Sequence, residues 1–335
     1  MLERKGLTVH GVRQQGFGLA SLGHAETALE RNCLIVAAVY CGTIGATEDD
    51  LSPVGLHARS IENLYHRFFD EWWQLDLHSM VLRDRNHPSV VMWAMGNEIP
   101  EVWTPAGKPI AKKLSDYLRS LDNSRPITQA FPGATYTLNP DAVFAMVDIG
   151  GYNYNLAANQ EKDHHRVPSR IMMTTESFPA DAFEQWQLVH DNSYIIREFV
   201  WTSMDYLGES GIGAWGVGTP KEASRADQMN RFIKKFVTTT GENGKSPFEG
   251  MASPAASPIA PGYPWHGSYC GDLDLTGYRK PESYYRDILW NGGDRVYATV
   301  RLPDPDERKI FAMGWSVFPT IASWTWPERE AKICR

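Results

Sequence analysis

The sequence predicts an α/β protein: a parallel sheet wrapped by helices, followed by the start of a β-domain. Three observations carry this reading. Helical and buried-strand signals alternate between about residues 61 and 201. The strand candidates are short apolar runs without polar alternation, the pattern of strands covered on both faces. From Asp294 onward the pattern changes to alternating strands. A series of strand–helix units closes into a (β/α)8 barrel or stays an open sheet. The 335 residues leave room for a barrel and an appendage. A core of that size needs no disulfide or metal staple.

The elements follow in order. Ile61, Leu64, Phe68, Trp72 and Leu75 recur at helical spacing. That helix stops near Asn86-His87-Pro88, because the residue before proline is pushed out of helical geometry. Val90-Val-Met-Trp-Ala-Met95 is a buried strand. Ile110, Leu114, Leu118 and Leu121 mark the next helix, closed by Asn123-Ser-Arg-Pro126. Strands follow at Ile127–Phe131, Val147–Tyr154 and Ile171–Glu176. Phe183, Trp186 and Val189 mark a helix, and Tyr194–Trp201 a further strand. Residues 238–264 hold five prolines from Pro247 to Pro264 and read as a long irregular loop. Tyr284, Tyr285 and Trp290 fall on a helix. Val296–Leu302 and Ile310–Trp315 open the β-domain. The expected division is a catalytic domain over 1–293 and the beginning of a β-sandwich over 294–335.

Composition excludes several classes. Lys plus Arg is 33 against 40 for Asp plus Glu, a formal charge of −7. That balance argues against nucleic acid or an anionic membrane as partner. No apolar run reaches the length of a membrane span. Met1-Leu-Glu-Arg-Lys-Gly6 has no apolar leader core, so a cytoplasmic location is the default expectation. Cys33, Cys41, Cys270 and Cys334 form no C-x-x-C pair and read as free thiols. No G-x-G-x-x-G follows the first strand, and no cofactor is expected. Twelve Trp and 14 Tyr suit a concave site lined by rings, to which sugars bind through their apolar C–H faces.

In a parallel barrel the reactive groups sit at the C-terminal ends of the strands. The strand 90–95 runs into Gly96-Asn97-Glu98, and the strand 171–175 into Glu176. The strand 147–154 ends in Asn153-Tyr154, and the strand 194–201 in Trp201. Two carboxylates from different strands are what glycoside hydrolysis requires, one as proton donor and one as nucleophile or base. A carboxylate ending an apolar strand is costly without a role.

These residues carry a resemblance. Arg83-Asp-Arg-Asn-His-Pro-Ser-Val-Val-Met-Trp-Ala-Met-Gly-Asn-Glu98 resembles the acid/base signature of glycoside hydrolase family 2, the β-galactosidase and β-glucuronidase family. Glu198-Phe-Val-Trp-Thr-Ser-Met-Asp-Tyr-Leu-Gly208 resembles that family's last barrel strand. Ser268–Pro281 resembles the segment that closes the barrel. The resemblance implies a (β/α)8 barrel and a retaining exo-glycosidase acting on a terminal β-linked sugar. It implies Glu98 as general acid/base, Asn97 on the sugar 2-hydroxyl and Glu176 as nucleophile. It further implies Tyr154 as hydrogen-bond partner of that nucleophile and Trp201 as floor for the sugar.

The departures set further expectations. Lys5-Gly-Leu-Thr-Val-His-Gly11 resembles the first barrel strand, without the β-sandwich domains that usually precede it. Residues 31–60 match nothing in the family and are short for two strand–helix units. The expectation is therefore a barrel incomplete at strands two and three, and a weak enzyme. Galactose is the default sugar. Gly271–Gly277 lacks the N-x-K motif of the family's glucuronidases, and Asn243-Gly-Lys245 lies in the irregular loop. Glu176 is followed by Ser177-Phe-Pro179 rather than the Tyr-Ala-His of well-known galactosidases. Asp272-x-Asp274 as a metal motif and His164-His165 as half of a metal site are weaker readings, since no C-x-x-C or H-E-x-x-H accompanies them. His87 reads as a turn residue, and Trp72-Trp73 as core packing.

Overall fold

A computed structural model of the protein describes residues 8–9, 33–38, 69–88, 90–97, 102, 105, 107–131, 141–154, 157–207, 211–238, 267–312 and 315–323. They fall into two compact units. The first lies within residues 1–177, 187–200 and 236–254, the second within 178–186, 201–235 and 255–335.

The first unit is built on seven parallel strands hydrogen-bonded in chain order. They are β1 (Thr8–Val9), β2 (Cys33–Ala38), β3 (Val90–Asn97), β4 (Ile127–Phe131), β5 (Ile149–Asn153), β6 (Met172–Ser177) and β7 (Ile195–Val200). Helices α1 (Phe69–Asp84), α2 (Gly107–Leu121), α3 (Asp141–Phe144), α4 (Ala157–Arg166) and α5 (Ala182–Asp191) fall between consecutive strands. This is the alternation of a (β/α)8 barrel, with seven strands among the described residues. Within the segment 31–60 the run Cys33-Leu-Ile-Val-Ala-Ala38 forms β2, which pairs directly with β1 on one side and β3 on the other.

The strands divide two sets of side chains by alternation. Trp93, Met95, Ile127, Phe131, Tyr152, Met172 and Ile195 pack with Leu77, Val81, Leu114, Leu118 and Leu188 of the helices. Met92, Ile149, Met173 and Phe199 make a separate buried cluster from the strands alone. The α1 helix stops where the sequence predicts, one turn before Pro88. His87 lies in that turn, its N–H donating to the Asp84 carbonyl at 3.0 Å. Of the Trp pair, Trp73 packs edge-on against Tyr117 at 5.5 Å, but Trp72 is 43% exposed. The pair is not core throughout, because adjacent helical positions lie about 100° apart and Leu77, Met80 and Val81 set the buried face.

One collar joins β3, β4 and the end of α2. Asp122 is buried and accepts from Trp93 Nε1 at 3.0 Å, from Arg125 at 2.7 Å and from the Ser124 N–H at 2.8 Å. A second network ties β5 to α4. Tyr152 and Arg170 donate to the buried carboxylate of Asp163, and Arg166 joins it to Asp141. The histidines of α4 separate: His164 stacks on Tyr194 at 3.5 Å between ring centroids, and His165 is exposed.

The second unit contains β8 (Tyr206–Leu207), β9 (Trp215–Gly218), α6 (Pro220–Thr238), β10 (Gly267–Ser268), α7 (Pro281–Asn291), β11 (Val300–Arg301), β12 (Lys309–Ala312) and β13 (Thr320–Ile321). The expected strands 296–302 and 310–315 are shorter than their sequence patterns. Their partners are also distant: β12 pairs with β9 and β11 with β13, all antiparallel. Asn243-Gly-Lys245 and the proline-rich stretch lie outside the described residues.

Candidate active site

Backbone geometry at two strand ends explains how the rim of the first unit is furnished. Along β3, Ala94 pairs with Thr128 and Asn97 with Ala130, so β3 carries one more residue than β4 over the same span. Along β6, Tyr152 pairs with Thr174 and Asn153 with Glu176, so Thr175 is an extra residue. Each is a β-bulge, which breaks alternation and re-aims the side chains beyond it. In β6 the bulge puts Glu176 in the register row of Asn153. Both strand ends expected to carry a catalytic carboxylate therefore have the same irregularity immediately before their rim residues.

The polar groups at this rim are connected. Thr175 donates its hydroxyl to Asn153 Oδ1 at 2.7 Å. Asn153 Nδ2 donates to Asn97 Oδ1 at 3.2 Å. Asn97, Asn153 and Glu176 are all buried. Tyr154 has φ of 52°, in the left-handed region, and its N–H donates to the Glu176 carbonyl at 2.7 Å. Non-glycine residues held there are uncommon and cluster at functional sites. Small residues allow the strands to approach closely: a Cβ on Gly151 would lie 2.4 Å from the Gln129 carbonyl oxygen. Beside Glu176, the Ser177 hydroxyl donates to the buried carboxylate of Glu198 on β7.

The structure thus brings Asn97, Tyr154 and Glu176 together at one strand-end layer. Glu98 follows Asn97 directly in the chain and lies outside the described residues. Trp201 belongs to the second unit, where it is buried edge-on to Tyr206 at 5.9 Å and to Trp315 at 6.1 Å. Its peptide bond to Thr202 is cis. Sequence spacing gives no role to Thr175, and Asn153 stands there only as a strand end. The structure adds both to the site, since the bulge that unites them leaves no mark in residue periodicity.

The second unit holds its own charged cluster. Lys280 pairs with the buried Asp205 at 3.0 Å and donates to the Tyr269 carbonyl at 2.8 Å. Burial pushes the Asp205 carboxyl up, against the pull of Lys280. The Asp272-x-Asp274 motif is structural. Asp272 pairs with Arg286 at 2.8 Å, and Asp274 accepts from the N–H groups of Thr276 and Tyr278 in a turn. Among the described residues, no three His, Cys, Asp or Glu side chains converge as a metal set. No described helix is long and apolar enough to cross a membrane.

The chain is similar to known proteins. Residues 56–178 match the family described as "Glycosyl hydrolases family 2, TIM barrel domain". The chain is 26% identical over 356 aligned residues to the β-galactosidase BoGH2A of Bacteroides ovatus, covering 86% of this chain and 40% of that protein. It is 46% identical over 203 residues to a β-glucuronidase of Paenibacillus borealis, covering 51% of this chain and 34% of that one. A solved family 2 glycosyl hydrolase from Bacteroides cellulosilyticus superposes with a TM-score of 0.68 at 28% identity, over 99% of this chain and 36% of that one. The chain spans well under half the length of these relatives. The signature from Arg83 to Glu98 and these likenesses agree: over residues 56–178 the chain is similar to the TIM barrel domain of glycosyl hydrolases family 2.

Proposed function

We propose that the protein is a retaining, exo-acting glycosidase that cleaves terminal β-glycosidic bonds, with a β-galactoside as its first candidate substrate. The observation that carries this reading is the placement of Glu176. It lies near the end of a buried strand in register with Asn153, whose amide donates to Asn97, and is bonded through its carbonyl to Tyr154. In this reading Glu176 attacks the anomeric carbon while Glu98 protonates the departing oxygen. Glu98 then takes a proton from water as the covalent glycosyl-enzyme is released. The family resemblance also implies Trp201 as floor for a sugar. The 1–293 catalytic domain and a β-sandwich opening at 294 remain part of this proposal.

A panel of p-nitrophenyl β-galactoside, β-glucoside, β-mannoside and β-glucuronide, with product stereochemistry followed by NMR, tests it. Release of the β-anomer first is the expected result, and first release of the α-anomer points to inversion. The relatives carry names for two sugars, galactose and glucuronate, and the panel distinguishes them. A second reading is a catalytically impaired or binding-only chain. The direct pairing of β2 with both β1 and β3 favours it, because it places one strand where the family's first and fourth enclose two. Turnover far below that of a version with a full strand-two and strand-three segment grafted in is its signature.

A further inference from the structure

We infer that Ser177 and Glu198 are positioning residues for Glu176, forming an anchor behind the strand end that fixes the direction of its carboxylate. The inference rests on the glycosidase reading above and deepens it. Ser177 directly follows Glu176, and successive side chains of a strand point to opposite faces. On one face of β6, Met173 belongs to the cluster made by strands alone. On the other, Thr174 accepts from Gln160 of α4 at 3.2 Å. With Thr175 as the extra residue, Glu176 continues the face of Met173 and Ser177 that of Thr174. Ser177 pairs with Val200 on β7. Its hydroxyl donates to the carboxylate of Glu198, two residues earlier along that strand. The contact therefore lies on the helix side of the sheet, behind Glu176.

Two grips then meet at one peptide group. Its carbonyl, from Glu176, accepts from the Tyr154 N–H at the end of β5 at 2.7 Å. Its other half, Ser177, is held by its side chain to β7. Turning the strand end about its own axis breaks one grip or the other, and that turn is what swings the Glu176 carboxylate off the rim. Ser177 is 1% exposed and Glu198 6%, so water cannot easily stand in for the hydroxyl. A buried carboxylate is costly, and an apolar side chain of similar size often fills such a place with no loss of stability. Holding the strand end behind the proposed nucleophile gives the Glu198 carboxylate a reason to be there.

Ser177→Ala removes the hydroxyl and little else. Glu198→Gln keeps an acceptor for it but makes the bond neutral. Both variants and their double are made in the full chain, with Leu118→Val as a control for lost stability. Inactivation by the 2-deoxy-2-fluoro-β-glycosyl fluorides of galactose, glucose, mannose and glucuronate reads the nucleophile directly. In that step a Glu176 oxygen bonds to C1, the C1–F bond breaks and fluoride leaves. Ser177→Ala is expected to lose about 10–100-fold in the inactivation rate constant, the scale of a displaced reacting group. The half-saturating concentration of inactivator should stay within roughly 3-fold of wild type, since the sugar contacts are untouched. Glu198→Gln should lose less, roughly 3–10-fold. The double variant should lose no more than about 3-fold beyond Ser177→Ala, because both changes strike one contact. Losses that multiply, or a loss matched by Leu118→Val, overturn the anchor. Amide hydrogen exchange followed by NMR reads it without chemistry. Ser177→Ala should speed exchange at the Tyr154 amide by about 10-fold or more, and leave the Trp93 amide, bonded to the Pro126 carbonyl, at its wild-type rate. If the wild-type chain is neither turned over nor labelled at Glu176, the glycosidase reading falls and the exchange result decides the anchor. Unchanged exchange at Tyr154, or equal acceleration at Tyr154 and Trp93, overturns it.

Discussion

Glu176 and Tyr154 are joined through their backbones: the Tyr154 N–H donates to the Glu176 carbonyl at 2.7 Å. The bond crosses from the end of β5 to the end of β6, where Tyr154 leaves the sheet with φ of 52°. A tyrosine in that region costs on the order of 1–2 kcal/mol, which the bond and the buried ring offset. The main chain of Glu176, the proposed nucleophile, is thereby held by the residue whose phenol the family resemblance expects to bond its carboxylate.

The two carboxylates should respond differently to removal. Glu98→Ala is expected to lose about 10²–10⁴ in rate on glycosides with poor leaving groups, the worth of a general acid. With an activated dinitrophenyl leaving group the loss in the first step should be far smaller. Glu176→Ala should be inactive on every leaving group, because no covalent intermediate can form. Equal losses for both variants across a leaving-group series would falsify the assignment of roles.

Gly151 is the tightest point of the rim strands. A Cβ there meets the Gln129 carbonyl oxygen at 2.4 Å and Thr175 Cγ2 at 2.8 Å. The first contact is backbone and cannot rotate away. Gly151→Ala should therefore destabilise the chain by about 1–3 kcal/mol, read as a shift of the urea midpoint. Because the strain falls between β4 and β6, kcat should fall as well, by more than in an equally destabilised variant of the outer core such as Leu118→Val.

Acid should weaken the collar around Asp122. Burial pushes this carboxyl up, but hydrogen bonds from Ser124, Arg125 and Trp93 outweigh it and hold the pKa at about 2. A carboxylate lowered in the folded state stabilises above its unfolded pKa near 3.8. That contribution disappears as the pH falls through about 2. The collar should account for roughly 2 kcal/mol of the stability lost over that interval. In Asp122→Asn the acid limb of a stability–pH curve should flatten by that amount. An unchanged limb would show that Asp122 does not control it.

Cys270 should be chemically silent in the folded chain. It is buried, and burial pushes its thiol up to about 12, despite the contact with Thr202. Since the thiolate is the reactive form, a maleimide at pH 8 should leave the Cys270 peptide unlabelled in native protein and label it fully in denaturant, as read by mass spectrometry. Rapid native labelling would contradict the burial.

Much of this architecture is legible in the sequence because it rests on periodicity. Val90–Met95, Ile127–Phe131 and Ile171–Glu176 announce β3, β4 and β6 as apolar runs, and their ends announce Asn97 and Glu176. The helices α4 and α6 are not announced. Ala157–Arg166 is almost wholly polar, and Pro220–Thr238 spreads its few apolar residues among Lys, Glu and Arg. The strand β2 is hidden for a different reason: its run Cys33–Ala38 is apolar, but no family pattern surrounds it. The run of contacts from Thr175 through Asn153 to Asn97 is hidden most deeply. It depends on a shift of one residue in register between two strands, which only paired strands can express.

The bulges at Thr175 and ahead of Asn97 make chain length, rather than side-chain chemistry, the fragile quantity at this rim. A conservative replacement at either place perturbs one contact. Deleting Thr175 would leave Glu176 opposite Asn153, because the extra residue itself is what departs, but it would take away the hydroxyl from which Asn153 accepts and shorten the strand end by one residue. The codon for Thr175 thus carries two things at once, the length of the strand end and a hydroxyl, and its loss removes both.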